Sequence, residues 1–199
     1  QKDLSDWEEM VEKSKIVNKK VEVALVGKYT ELHDAYISVV EALKHACIYH
    51  HSELHINWID SDEITEKNAG SILKNMDGIL IPGGFGVRGT EGKINAARYA
   101  RENKIPFLGL CLGMQIAIVE FARHVCGMTD ANSIEMNPNT QYPVIDFLPG
   151  QSEYSMLGGT LRLGKYPCKV LPETKAFEAY KEEVIYERHR HRYEVNNEY

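Results

Sequence analysis

The sequence predicts an α/β fold, a three-layer sandwich in which a mostly parallel central sheet carries helices on both faces. Three observations predict it. Short apolar runs at residues 21–27, 54–59, 77–81 and 105–110 have the length of buried strands. Stretches of helical period separate them, and strands alternating with helices close as parallel units. Two of the runs end in glycine-rich turns, Pro82-Gly83-Gly84-Phe85-Gly86 and Gly109-Leu110-Cys111-Leu112-Gly113. In such sheets functional groups collect beyond the C-terminal strand ends, so both turns can face one crevice.

The elements follow in order. Residues 7–20 read as a charged lead-in helix with Trp7, Met10 and Val11 on one face, resembling the end of a linker. Residues 21–199 then read as a single domain without a convincing internal break. Val21-Glu22-Val23-Ala24-Leu25-Val26-Gly27 is a strand, and the next helix begins near Asp34, an acceptable N-cap. Tyr36, Val40, Leu43 and Cys47 recur at helical spacing and predict one buried stripe. Leu54-His55-Ile56-Asn57-Trp58-Ile59 alternates as a second strand, and a polar connection runs from Asp60 to Asn68. Asp77-Gly78-Ile79-Leu80-Ile81 is the third, and a helix near 91–103 leads to the strand before Cys111. The helix after Cys111 places Leu112, Ile116, Val119 and Arg123 on one face and ends near Gly127. Residues 129–149 are polar, with Asn-Pro and Tyr-Pro steps that favour loops and extended segments. Beyond them, 158–164 and 166–170 read as two strands, 174–181 as a short helix and 187–196 as an alternating strand.

Composition narrows the class without naming an activity. The chain has 199 residues, enough for a sizeable core, and its 43% hydrophobic and 26% charged content is ordinary for a globular protein. A formal net charge of -6 and the lack of a long basic run argue against a nucleic-acid partner. No apolar run approaches membrane-spanning length, and the N-terminus has no signal-peptide core. Cys47, Cys111, Cys126 and Cys168 show no Cys-x-x-Cys spacing, which excludes a structural zinc knuckle and predicts a reducing, cytoplasmic setting.

Chemistry concentrates at Cys111. A strand running into Gly-x-Cys-x-Gly and out through a helix has the design of a nucleophile elbow. Glycines are needed where side chains would clash with neighbouring backbone, and the helix N-terminus is expected to favour the thiolate. The other reading is a cysteine packed as a small hydrophobe in a β–α turn. The Gly83-Gly84 turn offers main-chain N–H groups to an oxyanion, or is simply a tight turn. It lacks the Gly-Lys-Ser/Thr of a phosphate loop. A cysteine acyl-transfer enzyme also needs a base. His124 lies more than three helical turns past Cys111. His189 and His191 point to one side of the basic tail, as a charged, substrate-holding or solvated strand. His45, His50, His51 and His55 read as a solvated helix end and loop, because no carboxylate or cysteine set accompanies them.

Several stretches together carry a resemblance. They are Gly27-Lys28-Tyr29, Asp34-Ala35-Tyr36, Ile81-Pro82-Gly83-Gly84-Phe85-Gly86-Val87-Arg88-Gly89 and Gly109-Leu110-Cys111-Leu112-Gly113-Met114-Gln115. Gly158-Gly159-Thr160-Leu161-Arg162-Leu163-Gly164 and Arg188-His189-Arg190-His191-Arg192-Tyr193-Glu194-Val195-Asn196 complete the set. From about residue 20 to the end, the chain resembles the class I, triad-type glutamine amidotransferase domain of the CTP synthase family. The elbow marks the broad glutaminase class, whereas the Asp-Ala-Tyr stretch and the Arg-His-Arg-His-Arg tail are particular to that family.

The resemblance implies a flavodoxin-like sheet and a set of roles. Cys111 would attack the carboxamide carbon of L-glutamine, forming a glutamyl thioester and releasing ammonia. The main-chain N–H groups of Gly84 and Leu112 would hold the oxyanion. Phe85, Gln115, Glu135 and Arg192 would line the glutamine pocket, with Arg192 suited to the α-carboxylate and Glu135 to the α-ammonium. The ammonia would serve ATP-dependent amination of UTP to CTP in a synthetase domain of the same polypeptide. UTP, ATP and magnesium belong to that domain, so no cofactor or metal is expected in this one. The resemblance also implies activation by GTP near residues 85–89 and a homo-oligomer, a tetramer, at full length. The family's base and orienting acid sit in a His-Pro-Glu step downstream of the tail, and this sequence reaches Tyr199 without one. The expectation is a domain lacking its C-terminal part. The alternative is a catalytically incomplete scaffold or interaction fragment.

Overall fold

The computed structural model describes residues 3–148 and 162–199. It divides into two compact units, Gln1–Val144 and Ile145–Tyr199.

In the first unit β1 (Lys19–Gly27), β2 (Ser52–Asp60), β3 (Gly78–Ile81) and β4 (Phe107–Gly109) form a sheet in the order β2-β1-β3-β4. All three pairings are parallel, with Lys19 opposite Ser52, Val23 opposite Gly78 and Ile79 opposite Phe107. The chain leaves β1 towards β2 and returns on the other side to β3. The C-terminal ends of β1 and β3 therefore flank the point where the strand order reverses, which is where such sheets open a crevice.

Alternation along the strands feeds two faces. Val23, Leu25 and Leu80 form one buried cluster with Tyr36, against which Val39 and Leu43 pack. Ala24, Val26, Ile79 and Ile81 are buried on the other. Above that second face lie α4 (Thr90–Glu102) and α5 (Leu112–His124), which bury Ile94, Ala97 and Ala100, and Leu112, Ile116 and Val119. Arg101 of α4 grips the buried Glu120 of α5 through Nε and Nη2.

Several expectations are refined. The lead-in helix is α1 (Ser5–Ser14), but Trp7 and Val11 on its apolar face are exposed. Residues 33–36 form a 3-10 turn before α2 (Ile37–Tyr49), so the helix starts later than Asp34. Of the expected stripe, Tyr36 alone is fully buried, while Val40, Leu43 and Cys47 are half-buried. The reason is position: α2 packs against the edge strand β2, where neighbours exist on one side only. A five-residue helix, α3 (Ala69–Leu73), is an element that periodicity missed. The connection after α5 holds β5 (Asn132–Ser133) and leads to β6 (Pro143–Phe147), extended segments within the polar stretch.

In the second unit, residues 145–147 of β6 pair antiparallel with β9 (Tyr193–Val195). β7 (Arg162–Lys169) pairs antiparallel with β8 (Val184–His191) along its whole length. Between them α6 (Lys175–Tyr180) begins under a Thr174 cap, whose Oγ1 accepts the Phe177 N–H. The two strands expected around 158–170 are one strand from Arg162 onward, passing through Gly164 at φ 101° instead of breaking there. Residues 158–161 of that expectation lie outside the described residues. The tail is likewise two strands, broken at Arg192.

Candidate active site

β4 delivers the chain to Cys111 and α5 carries it away. Cys111 itself sits at φ 52°, ψ -103°, a conformation that costs a residue with a Cβ and persists only where its surroundings impose it. Two main-chain bonds impose it here: Leu110 N–H to the Ile81 carbonyl and Gly113 N–H to the Leu110 carbonyl, both 2.9 Å. The flanking glycines let the backbones close. A Cβ on Gly109 would lie 2.4 Å from the Gly113 carbonyl carbon, and one on Gly113 would lie 2.1 Å from the Ile81 oxygen. Neither fits, so the sharp turn depends on both glycines.

The two glycine-rich turns are neighbours. A Cβ on Gly83 would lie 3.5 Å from the Cys111 Cβ, and one on Gly84 would lie 3.5 Å from Leu112 Cδ2. The loop after Gly84 is tied down from several sides. The Phe85 carbonyl accepts the Lys28 ammonium, and the Lys28 carbonyl accepts Arg88 Nη2 at 2.6 Å. Arg88 Nε in turn meets Asp62 at 3.0 Å. Glu135 Oε1 accepts the Gly86 N–H at 2.8 Å, bringing a carboxylate to the same loop. The Phe85 ring remains exposed, whereas Gln115 is 5% exposed within α5 and Leu112 is 1% exposed at its start.

Electrostatics at the sulfur differ from expectation. Cys111 is exposed as a residue. Its thiol is nevertheless pushed up from the ordinary cysteine value, chiefly by burial of the sulfur and further by the Glu135 carboxylate. The Leu112 N–H at the helix start pulls the other way. The expected preference for thiolate is therefore corrected: one N–H at a helix N-terminus does not outweigh desolvation plus a nearby like charge.

Sequence reasoning passed over the cations beneath the loop. Lys93 of α4 is 2% exposed, with Nζ 3.5 Å from the Arg88 carbonyl. Burial, helped by Lys28, pushes its ammonium down to about 8. A lysine in the first turn of a charged helix reads as solvent-facing, so nothing in the sequence marked it. Lys28 was visible only inside the quoted Gly27-Lys28-Tyr29.

Gly84, Phe85, Leu112, Gln115 and Glu135 thus share the first unit with Cys111, and Arg192 lies in the second. There the Arg192 guanidinium carbon sits 5.1 Å from the Phe147 ring centroid. His124 is spoken for by its own helix, with Nδ1 3.0 Å from the Glu120 carbonyl. Among the described residues, no group of three His, Cys, Asp or Glu side chains is placed to hold a metal ion, and no helix is long and apolar enough to cross a membrane.

The chain's similarities are specific. The profile of the family described as "Glutamine amidotransferase class-I" matches residues 31–199. CTP synthase of Caldanaerobacter subterraneus subsp. tengcongensis is 61% identical over 199 residues, which is 100% of this chain and 37% of the relative. CTP synthase of Bacillus velezensis is 58% identical over 197 residues, again 37% of its length. The chain therefore spans a little over a third of these relatives. Among solved structures, the glutaminase domain of Trypanosoma brucei CTPS with bound acivicin superposes at a TM-score of 0.83 and 39% identity, covering 90% of this chain and 69% of that one. The chain belongs to the class I glutamine amidotransferase family, as a domain of the CTP synthase kind.

Proposed function

We propose that this domain hydrolyses L-glutamine through a thioester on Cys111. The observation that carries the reading is the strained Cys111 turn set beside the Gly83-Gly84 corner. In this mechanism a base takes the thiol proton as Sγ attacks the carboxamide carbon. The oxyanion forms between the Gly84 and Leu112 N–H groups, whose fixed dipoles stabilise it. The C–N bond then breaks, the nitrogen leaves as ammonia with the transferred proton, and water hydrolyses the thioester to glutamate. Glu135 suits the substrate's α-ammonium, Arg192 its α-carboxylate, and Phe85 and Gln115 the walls between. The family's base belongs to a His-Pro-Glu step that does not occur in these 199 residues.

The wider setting proposed is the one that the family resemblance implies. The ammonia would pass to a synthetase domain that aminates UTP with ATP and magnesium, in a cytoplasmic homo-tetramer activated by GTP at the 85–89 loop. The glutaminase step itself needs neither metal nor cofactor. The scaffold alternative is disfavoured by the family match across residues 31–199.

The test uses the longest natural polypeptide that contains this chain. Cys111→Ala should abolish glutamine-dependent CTP formation and leave ammonia-dependent formation intact. Acivicin, the ligand named for the Trypanosoma brucei structure, should label the native protein once, at Cys111, and glutamine should protect. Normal glutaminase activity in Cys111→Ala would remove the nucleophile assignment. Labelling that glutamine does not slow would point to a different cysteine hydrolase on this fold.

A further inference from the structure

The second unit contains a chain of hydrogen bonds that the thioester chemistry leaves unexplained. His189 and His191 stand two residues apart on β8, so their rings leave the same face. His189 Nδ1 lies 2.8 Å from His191 Nε2, and His191 Nδ1 lies 3.0 Å from the Tyr193 carbonyl. A carbonyl only accepts, so His191 Nδ1 carries hydrogen; Nε2 of the neutral ring then offers a lone pair to the His189 Nδ1–H. Around the pair stand Arg162 and Tyr166 of β7 and Glu194 of β9. Arg162 meets Glu194 at 3.4 Å and lies 5.3 Å from the Tyr166 ring, which meets His189 edge-on. Arg190, between the two histidines, takes the opposite face of the strand.

These bonds bridge a single residue. β8 ends at His191 and β9 starts at Tyr193, leaving Arg192 in the bend. The Arg192 carbonyl accepts the Leu148 N–H at 3.1 Å, and its guanidinium lies over Phe147, which stacks on Tyr193. The His191–Tyr193 bond closes the bend from the other flank.

We propose that His189 and His191 are positioning residues for Arg192, holding the bend between β8 and β9 so that the guanidinium is presented to the substrate's α-carboxylate. The proposal rests on the reading of Arg192 as the carboxylate anchor. It carries its own pH signature, because only one proton fits between the two rings. When both are charged, N–H faces N–H and the bond opens. Burial holds His191 below the ordinary histidine value; the Tyr193 carbonyl opposes it, His189 and Arg162 reinforce it, and Glu194 opposes. The pair is therefore intact at neutral pH and opens as pH falls below the ordinary histidine range.

Steady-state glutaminase kinetics between pH 5.5 and 8.5, on the longest natural polypeptide containing the chain, test this. Arg192→Ala is the reference and should raise KM for glutamine strongly. His191→Leu should raise KM about ten-fold with kcat within about two-fold, the effect of one lost positioning hydrogen bond. His191→Asn, whose amide N–H can reach the same carbonyl, should recover most of that loss. His189→Asn should keep the KM of the native protein at pH 7.5 and flatten the rise in KM that the native protein shows below about pH 6.5. The positioning role is overturned if Arg192→Ala raises KM while His191→Leu and His189→Asn leave KM and its pH profile unchanged. It is equally overturned if His191→Asn is no better than His191→Leu. An Arg192→Ala variant with native KM would instead refute the anchor reading, and the positioning role would fall with it.

Discussion

At the scale of single residues, the site is governed by how burial competes with charge. The Cys111 thiol is pushed up from the ordinary cysteine value because desolvation and the Glu135 carboxylate outweigh the Leu112 N–H. Glu135→Gln removes the like charge, so Cys111 should ionise at lower pH. Its iodoacetamide alkylation rate at pH 8 should rise several-fold, read by mass spectrometry, and the rate–pH curve should shift to lower pH. An unchanged curve would mean that the carboxylate does not reach the sulfur electrostatically. Lys93 shows the same competition with the opposite sign. Its ammonium is lowered from 10.5 to about 8, so the unfolded chain binds the extra proton between those values and stability rises with pH across that window. Below pH 8 the full penalty is present. Lys93→Met should therefore stabilise the fold at pH 7 by about 2 kcal/mol and flatten the dependence of Tm on pH between 8 and 10.5. A lower Tm for the methionine variant would show that the ammonium's bond to the Arg88 carbonyl outweighs its burial.

At the scale of elements, the Cys111 turn is a contact between backbones. Gly113 of α5 rests on the Ile81 carbonyl of β3, and Gly109 at the end of β4 rests on Gly113. Gly113→Ala should push α5 off the sheet and lower stability by about 3 kcal/mol, visible as a fall in Tm, with glutaminase activity lost in whatever remains folded. Retained activity would mean that the helix can shift without moving the sulfur. This part of the fold was legible in the sequence because Gly-x-Cys-x-Gly at a strand end admits few geometries. The strands β1 and β3 and the face Leu112, Ile116 and Val119 were legible for a similar reason, since burial on two sides leaves an unbroken apolar run and burial along one stripe a periodic one; β4 shows the apolar run too, although it ends the strand order and leaves Leu108 exposed. What periodicity could not show was set by neighbours distant in sequence. α2 carries a regular stripe yet stays half-buried because it covers an edge strand, and α3 is too short to leave a period. Gly164 was read as a strand break, although the β8 partner keeps the strand paired through it. The roles proposed for Glu135 and Arg192 rest on resemblance, because a lone loop glutamate and one arginine among several carry no local signal.

At the scale of the molecule, the two units are unequal in core. Most of the buried apolar residues fall in Gln1–Val144, whereas the second unit contributes Ile145, Leu148, Val170 and Ile185 among its described residues. So few buried apolar groups among the described residues of that unit do not offset the ordering entropy of those residues. The segment Gln1–Val144 expressed alone should therefore melt cooperatively by circular dichroism, and Ile145–Tyr199 alone should show no transition. A cooperative melt of the shorter segment would overturn this division of stability. Cys111, the Gly83-Gly84 corner and Glu135 would travel with the longer segment, and Arg192 with the shorter. If Arg192 anchors the substrate as proposed, the longer segment should lose glutamine affinity and glutamine-protected acivicin labelling while keeping an iodoacetamide-reactive sulfur.

The raised thiol matters beyond turnover. Peroxide and stray electrophiles attack sulfur in its anionic form, so a thiol whose ionisation is pushed to higher pH offers them less to react with. The burial that raises the Cys111 thiol thus works against its oxidation as well as against its ionisation.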